Sequence, residues 1–231
     1  IGAALLGFYE DHADKQRPVA FQSPYLGSGI AADKLDALKK YGPKSRMLES
    51  GENISVIAAS YLAEGKIIGW MQGRAEFGPR ALGNRSILAD PRSEIIKDRI
   101  NAEVKFREAF RPFAPSILHE HGADYFENYQ ESPYMERTLR FRPAVLDKVP
   151  GVVHVDGTGR LQTVKRSWNN AFYELIDAFY RLTGIPLVLN TSFNVMGKPI
   201  IHTVEDALAV FYTSGLDVLI IEDIVIEKNA A

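Results

Sequence analysis

The sequence predicts an α/β domain in which helices pack on a twisted sheet. Three observations carry that prediction. Short apolar runs of strand length recur at 66–71, 113–118, 187–189 and 217–222. Segments with apolar residues at helical spacing alternate with them, at 53–64, 169–183 and 203–213. Glycine, proline and small polar residues stand at the junctions, where the chain has to turn.

Taken in order, residues 1–9 read as the apolar stripe of a helix with little of its own to pack on. Segment 1–22 is expected to be the last helix of an upstream domain plus its linker, with 14–28 rich in polar residues, Pro and Gly. Residues 23–231 form the domain proper. A helix is expected over 31–41, with Leu35 and Leu38 on one face and Gly42-Pro43 stopping it. The next, 53–64, aligns Ile54, Ile57, Ala58, Tyr61 and Leu62 and ends at Gly65. Strand 66–71 leads into a glycine- and arginine-rich loop, and 86–89 reads as the strand that follows. Asp90-Pro91 opens an amphipathic helix running through Ile95, Ile96, Ile100 and Val104, since Pro suits a first turn.

Strands are then expected at 113–118 and 138–142, with 152–155 and 161–164 paired around Asp156-Gly157-Thr158-Gly159. Helix 169–183 carries Phe172, Leu175, Ile176 and Phe179 and stops at Gly184-Ile185-Pro186. After strand 187–189, helix 203–213 begins with Thr203 three residues before Asp206, a near-capping box. Strands 217–222 and 224–226 close the chain.

A chain of 231 residues can bury a substantial core, and its formal charge of −2 gives no whole-protein attraction to nucleic acid. The absence of cysteine excludes disulfides, thiolate catalysis and Cys-zinc sites. No apolar run approaches the roughly 20 residues that span a bilayer, and no signal peptide is visible. A cytoplasmic protein that does not engage membrane is the expectation.

The run 69–86 is the most informative stretch. Gly73, Gly78, Pro79 and Gly83 preclude regular structure, yet Arg74, Arg80, Arg85, Glu76 and Asn84 crowd the same loop. Glycine lets a backbone approach a ligand, and arginine offers a planar fork of donors to phosphate or carboxylate. This points to an anion site; the alternative is a loop tied down by Arg–Glu pairs.

A second basic cluster is Lys105, Arg107 and Arg111. Pro112 disfavours helix at Arg111, so an extended backbone is expected near the end of the cluster, aiming Lys105 and Arg107 at one ligand. The alternative is the solvated end of the preceding helix. Asn190, Thr191, Ser192 and Asn194 follow a strand and could hold a ribose, a phosphate or a small amide-like group, or simply turn the chain. His154 and Asp156 alternate and could face the same side, but a third metal ligand is missing nearby, so a structural pair is the better account. Arg160, preceded by glycines, is the better functional candidate.

Four runs together resemble a known family: 69–92, containing Gly73-Arg74-Ala75-Glu76-Phe77-Gly78-Pro79-Arg80, then 101–118, 154–164 and 190–194. In this order they are similar to the C-terminal region of the O-carbamoyltransferases, the nodulation and antibiotic-tailoring carbamoyltransferases. The resemblance runs over residues 21–228. It implies a YrdC-like twisted mixed sheet flanked by helices, with a basic groove that binds carbamoyl phosphate and ATP. It further implies formation of carbamoyl adenylate with release of pyrophosphate, and transfer to a hydroxyl of a small-molecule acceptor by an N-terminal domain of the same polypeptide. That actin-like domain would carry the family's histidine metal site; no metal ligand is assigned in this segment, although Mg²⁺ is expected with ATP. Arg74, Lys105 and Arg107 match the family's basic positions and are expected on the phosphates. Arg160, Asn190 and Ser192 match its later motifs as adenylate contacts, with Arg80, Arg85 and Arg111 as second choices that could brace the loops instead. Glu76 is expected to hold an arginine. Ala75 stands where larger residues are common in the family.

Two other readings remain: an RNA-binding groove, and a non-catalytic docking or regulatory module. From Gln72 to Arg111 nine Lys/Arg face six Asp/Glu, a focused excess of +3 that suits a small anion better than a nucleic acid.

Overall fold

The computed structural model describes residues 2–16, 23–41, 45–47 and 52–228. Its elements are α1 (Gly2–Asp11), α2 (Ala32–Tyr41), β1 (Ser45–Met47), α3 (Ile54–Ala63), β2 (Ile68–Met71), β3 (Arg85–Ala89), α4 (Ile95–Arg99), β4 (Ala114–Leu118), α5 (Gly122–Tyr125), β5 (Arg137–Arg140), β6 (Thr158–Val164), α6 (Asn170–Thr183), β7 (Leu187–Ser192), α7 (Val204–Thr213), β8 (Val218–Ile221) and β9 (Ile224–Glu227). Among the described residues nine strands form one sheet in the order β1-β9-β8-β2-β3-β7-β4-β6-β5. The β2–β8 and β4–β6 pairs are parallel and the rest antiparallel, so the sheet is mixed. The expected α/β class, with helices against a mixed sheet, is the one observed.

The helix ends follow their sequence signals. The Asn169 side chain accepts from Phe172 N, and Gly184 closes α6 in the left-handed region at φ 75°. Thr203 and Asp206 complete both halves of a capping box on α7. The α3 and α6 helices pack on each other, and the Ser55 hydroxyl ties them by donating to Ala171 O. Trp70, Phe126, Phe141, Phe172, Phe179, Phe193 and Phe211 are fully buried and fill the core. By contrast α1 buries none of its residues, leaving Leu5, Leu6 and Phe8 exposed. The expected linker lies in part outside the described residues, at 17–22.

Several expectations are corrected. Residues 152–155 are not a strand: a 3-10 turn covers Pro150–Val152, and β6 pairs instead with β5 and β4. The helix expected from Asp90-Pro91 begins at Ile95, and its second half, Ile100–Lys105, is a π-helix. The strand expected at 187–189 continues to Ser192, because Asn190 and Ser192 pair with Leu88 and Ser86 of β3. Strand β1 was not foreseen; it adds to the sheet edge at β9.

Candidate anion-binding site

The arginine-rich run is the loop of a hairpin, since β2 and β3 pair directly on either side of it. Its backbone is held from inside by two buried charges. Glu76 Oε1 accepts from the backbone N–H groups of Leu82 (2.7 Å), Asn84 (2.7 Å) and Arg85 (3.2 Å). The carboxylate therefore anchors peptide groups rather than an arginine side chain, which corrects the sequence expectation. Arg85 is fully buried and donates to the carbonyls of Gln72 (2.6 Å), Asn84 (3.0 Å), Gly73 (3.0 Å) and Ser28 (3.3 Å). Burial lowers its pKa, with Glu76 and Glu222 opposing. Arg85 is a brace. Trp70 Nε1 adds a bond to Gly83 O, and Gly73 N donates to Glu222 Oε1. So fastened, the loop exposes Arg74 and Arg80.

These two arginines go different ways. Arg74 donates to Leu26 O at 3.0 Å. Arg80 lines two neighbouring cavities of about 420 and 90 Å³, which share Arg80, Arg107, Arg160, Pro112, Phe113 and Ala114 in their walls. Arg74 and Arg85 are not in those walls; Arg111 is in the larger cavity, and Asn190 and Ser192 are in the smaller. Arg111 is paired with Glu108 at 2.8 Å. Arg80, Arg107 and Arg160 have no ion pair among the described residues. Burial lowers the Arg160 pKa, with Arg80 adding to it; burial and then Arg111 lower that of Arg107, to which Arg160 also contributes. Cations half-withdrawn from water and repelling one another are an arrangement that an anion would stabilise.

The second basic cluster is not extended as expected. The π-helix ends at Lys105 and Phe106 takes the left-handed conformation, φ 50° and ψ 50°. Single π turns are frequent at functional sites, and here the reversal separates the two side chains. Lys105 is buried and donates to the carbonyl and hydroxyl of Ser192, and to the carbonyl (3.0 Å) and Oδ1 (2.8 Å) of Asn194. Burial and Arg107 hold its pKa well below the usual lysine value. It supports the end of β7 from beneath, whereas Arg107 reaches the cavity and lies over the Phe113 ring at 4.9 Å.

His154 and Asp156 are not alternating strand residues but belong to the turn before β6. Asp156 Oδ1 accepts from Thr158 N and Oγ1, and His154 Nδ1 sits 3.2 Å from the same hydroxyl. Burial lowers the His154 pKa, keeping the ring neutral near pH 7. The pair is structural in its bonding. Among the described residues no group of three or more His, Asp or Glu is placed to hold a metal ion.

The family model for the carbamoyltransferase C-terminus matches residues 59–228, a span that contains the whole groove. The chain belongs to that family. It is 44% identical to nodulation protein NolNO of Sinorhizobium fredii and 48% identical to nodulation protein NolO of Bradyrhizobium diazoefficiens, over its full length in both cases. It spans 34% and 43% of the length of these two relatives. A crystal structure of full-length HypF in the phosphate- and nucleotide-bound form superposes with a TM-score of 0.51 and 16% identity, covering 79% of this chain and 22% of that one. That likeness supports the YrdC-like twisted mixed sheet. No helix among the described residues is long and apolar enough to cross a membrane.

Within this carbamoyltransferase domain, the residue that sequence reading missed is Asn101. It is buried, its Oδ1 accepts from Arg107 Nε at 2.7 Å, and its Nδ2 donates to Ala109 O (3.2 Å) and Arg111 O (3.1 Å). Its carbonyl accepts from the backbone N–H of Phe106 and Arg107. One amide thus aims Arg107 and shapes the loop bearing Arg111. Asn101→Ala is expected to cost about 1–3 kcal/mol, from the buried groups left unpaired. Urea unfolding should show this as a lower midpoint at unchanged slope.

Proposed function

We propose that this domain binds carbamoyl phosphate and ATP and forms carbamoyl adenylate, releasing pyrophosphate, and that an N-terminal domain of the same polypeptide transfers the carbamoyl group to a hydroxyl of a small-molecule acceptor. The observation that supports it is the convergence of Arg80, Arg107 and Arg160 on one groove with no carboxylate paired to them. The HypF structure of similar fold is described as phosphate- and nucleotide-bound, which favours the same two ligand classes here. Atom balance requires a water: it cleaves the acyl phosphate to carbamate and inorganic phosphate. A carbamate oxygen then attacks the α-phosphorus, and pyrophosphate leaves. Arginine donors neutralise the converging phosphates and hold them in line, the positioning work that phosphoryl transfer demands. Lys105 keeps Ser192 in the wall, and Arg85 with Glu76 keeps Arg80 on the loop. With Asp156 the sole carboxylate in the groove walls among the described residues, Mg²⁺ is expected to arrive bound to ATP rather than in a protein cage.

The test is release of pyrophosphate from ATP and Mg²⁺, with and without carbamoyl phosphate. Release that requires carbamoyl phosphate, with one inorganic phosphate per pyrophosphate, is the expected result. Binding of RNA that collapses with added salt, without release, would replace this reading with the nucleic-acid one.

A further inference from the structure

Asn169 stands at the N-terminus of α6 and is in the walls of neither cavity, yet its amide meets two parts of the arginine loop. Its Oδ1 accepts from Phe172 N at 3.1 Å as the helix cap, so its Nδ2 has to face the other way. There it donates to Asn84 Oδ1 at 2.8 Å and to the Tyr25 hydroxyl at 2.9 Å. Both partners pass the contact on to a carbonyl of the loop. Asn84 Nδ2 donates to Arg74 O at 2.8 Å, and the Tyr25 hydroxyl donates to Leu82 O at 2.9 Å. Each orientation is forced, because a carbonyl can only accept.

Tyr25 belongs to a segment, residues 23–28, that lies along the first half of the loop. Phe77 N donates to Pro24 O (2.7 Å), Ala75 N to Ser28 O (2.9 Å) and Gly27 N to Ala75 O (2.9 Å). A Cβ built at Gly27 would lie 2.9 Å from Ala75 Cβ, so the two stretches of chain are in close contact. The loop is therefore held at Arg74–Phe77 by this segment and at Leu82–Arg85 by the Glu76 carboxylate, with Arg80 on the stretch between. Asn169 is joined to both ends. It reaches the first through Asn84 to Arg74 O, and the second through Tyr25 to Leu82 O.

We propose that Asn169 is a positioning residue for the anion groove, its amide bridging the two ends of the arginine loop and so setting where Arg80 enters the groove. The inference rests on reading the groove as an anion site, but not on the adenylation step. A guanidinium binds an anion with a directional fork, and a site whose supporting bonds are loose forfeits affinity. Capping α6 does not by itself require Asn, since Asp and Ser cap about as well. Of these residues Asn alone caps with one end of its side chain and donates two bonds with the other. Asp at this position would set a carboxylate oxygen against Asn84 Oδ1. It would also draw the Tyr25 proton away from Leu82 O.

The experiment is calorimetric titration of the chain with inorganic phosphate, alongside NMR of the indole N–H of Trp70, which donates to Gly83 O within the loop. In Asn169→Asp phosphate affinity should fall about tenfold, less than the roughly hundredfold that a misplacement of about 1 Å can cost. Helical circular dichroism should be unchanged because the cap is kept. The Trp70 signal should shift in the unliganded variant, as a role confined to the helix would not make it do. Thr203→Ala, which breaks the capping box of α7, should lower the melting point but leave phosphate affinity and the Trp70 signal as in wild type. Tyr25→Phe should weaken phosphate binding about threefold, within the range of one neutral hydrogen bond. Added to Asn169→Asp it should cost little more, because both break the same path. Wild-type affinity in a folded Asn169→Asp would overturn this inference and leave the groove assignment standing. A wild type that bound no phosphate would overturn both. If Asn169→Asp does not fold, Tyr25→Phe decides, and unchanged affinity there overturns the inference.

Discussion

Arg160→Ala is expected to weaken carbamoyl phosphate and inorganic phosphate binding by about 30- to 100-fold, and pyrophosphate release with it. That corresponds to about 2–3 kcal/mol, the upper part of the range for hydrogen bonds to charged groups. The reason for a large effect is position. Arg160 stands in both cavities, is half withdrawn from water, and among the described residues has no acidic partner to compete with the ligand. The sign for stability runs the other way. Arg80 and Arg107 are each repelled by Arg160, so removing it relieves the unliganded protein. The thermal midpoint of Arg160→Ala without ligand should equal or exceed that of wild type. Added phosphate should raise the midpoint of wild type but not of the variant, because only a ligand bound to the native state stabilises it. Arg111→Ala gives the contrast: that guanidinium is already engaged by Glu108, so it should lose much less affinity. Loss of stability in parallel with loss of binding would make Arg160 a structural brace and sink the assignment.

What the sequence disclosed, and what it withheld, follows from the range of the forces. The caps on α6 and α7 were legible because capping is local, settled by residues three apart. The arginine loop was legible as an irregular segment with a special task because glycine beside arginine needs a reason. Which of its arginines are drawn inward and which line the groove was not. Arg85 and Arg80 are alike in the sequence, but Arg85 is drawn inward by four carbonyls, one from Ser28 far along the chain. The geometry at Lys105 failed for the same reason. A π turn followed by a left-handed Phe106 is held by Asn101, Ala109 and Arg111 acting together, and residue spacing does not encode it. Ser116 and Gln162 drew no notice because lone polar residues in strands are ordinary. Only the order β7-β4-β6 brings them to Asn190. This buried polar network is a product of topology.

Gly83→Ala is expected to destabilise the domain by about 3–5 kcal/mol, combining backbone strain of 1–3 with overpacking of similar size. Gly83 has φ +106°, and a Cβ built there would lie 2.2 Å from Phe172 Cδ1 and 2.5 Å from Cγ. Neither side can yield easily. Phe172 is fully buried on α6, while Gly83 is pinned by its N–H on Ser86 Oγ at 3.1 Å and its carbonyl on Trp70 Nε1 at 2.9 Å. For a domain of this size the thermal midpoint should drop by about 10 °C or more. Gly78→Ala separates the two contributions, because Gly78 also has positive φ (+137°) but nothing within 4 Å of its added Cβ. It should cost only the strain, about 1–3 kcal/mol. The packing of Phe172 against Gly83 fixes where the loop meets α6, and the same loop carries Glu76, Arg85 and the free Arg80. Gly83→Ala molecules that remain folded in the cold should therefore bind phosphate more weakly, although Gly83 touches no part of the groove. If Gly83→Ala melted with wild type, the loop could not sit against Phe172, and the placement of Arg80 in the groove would fall with it.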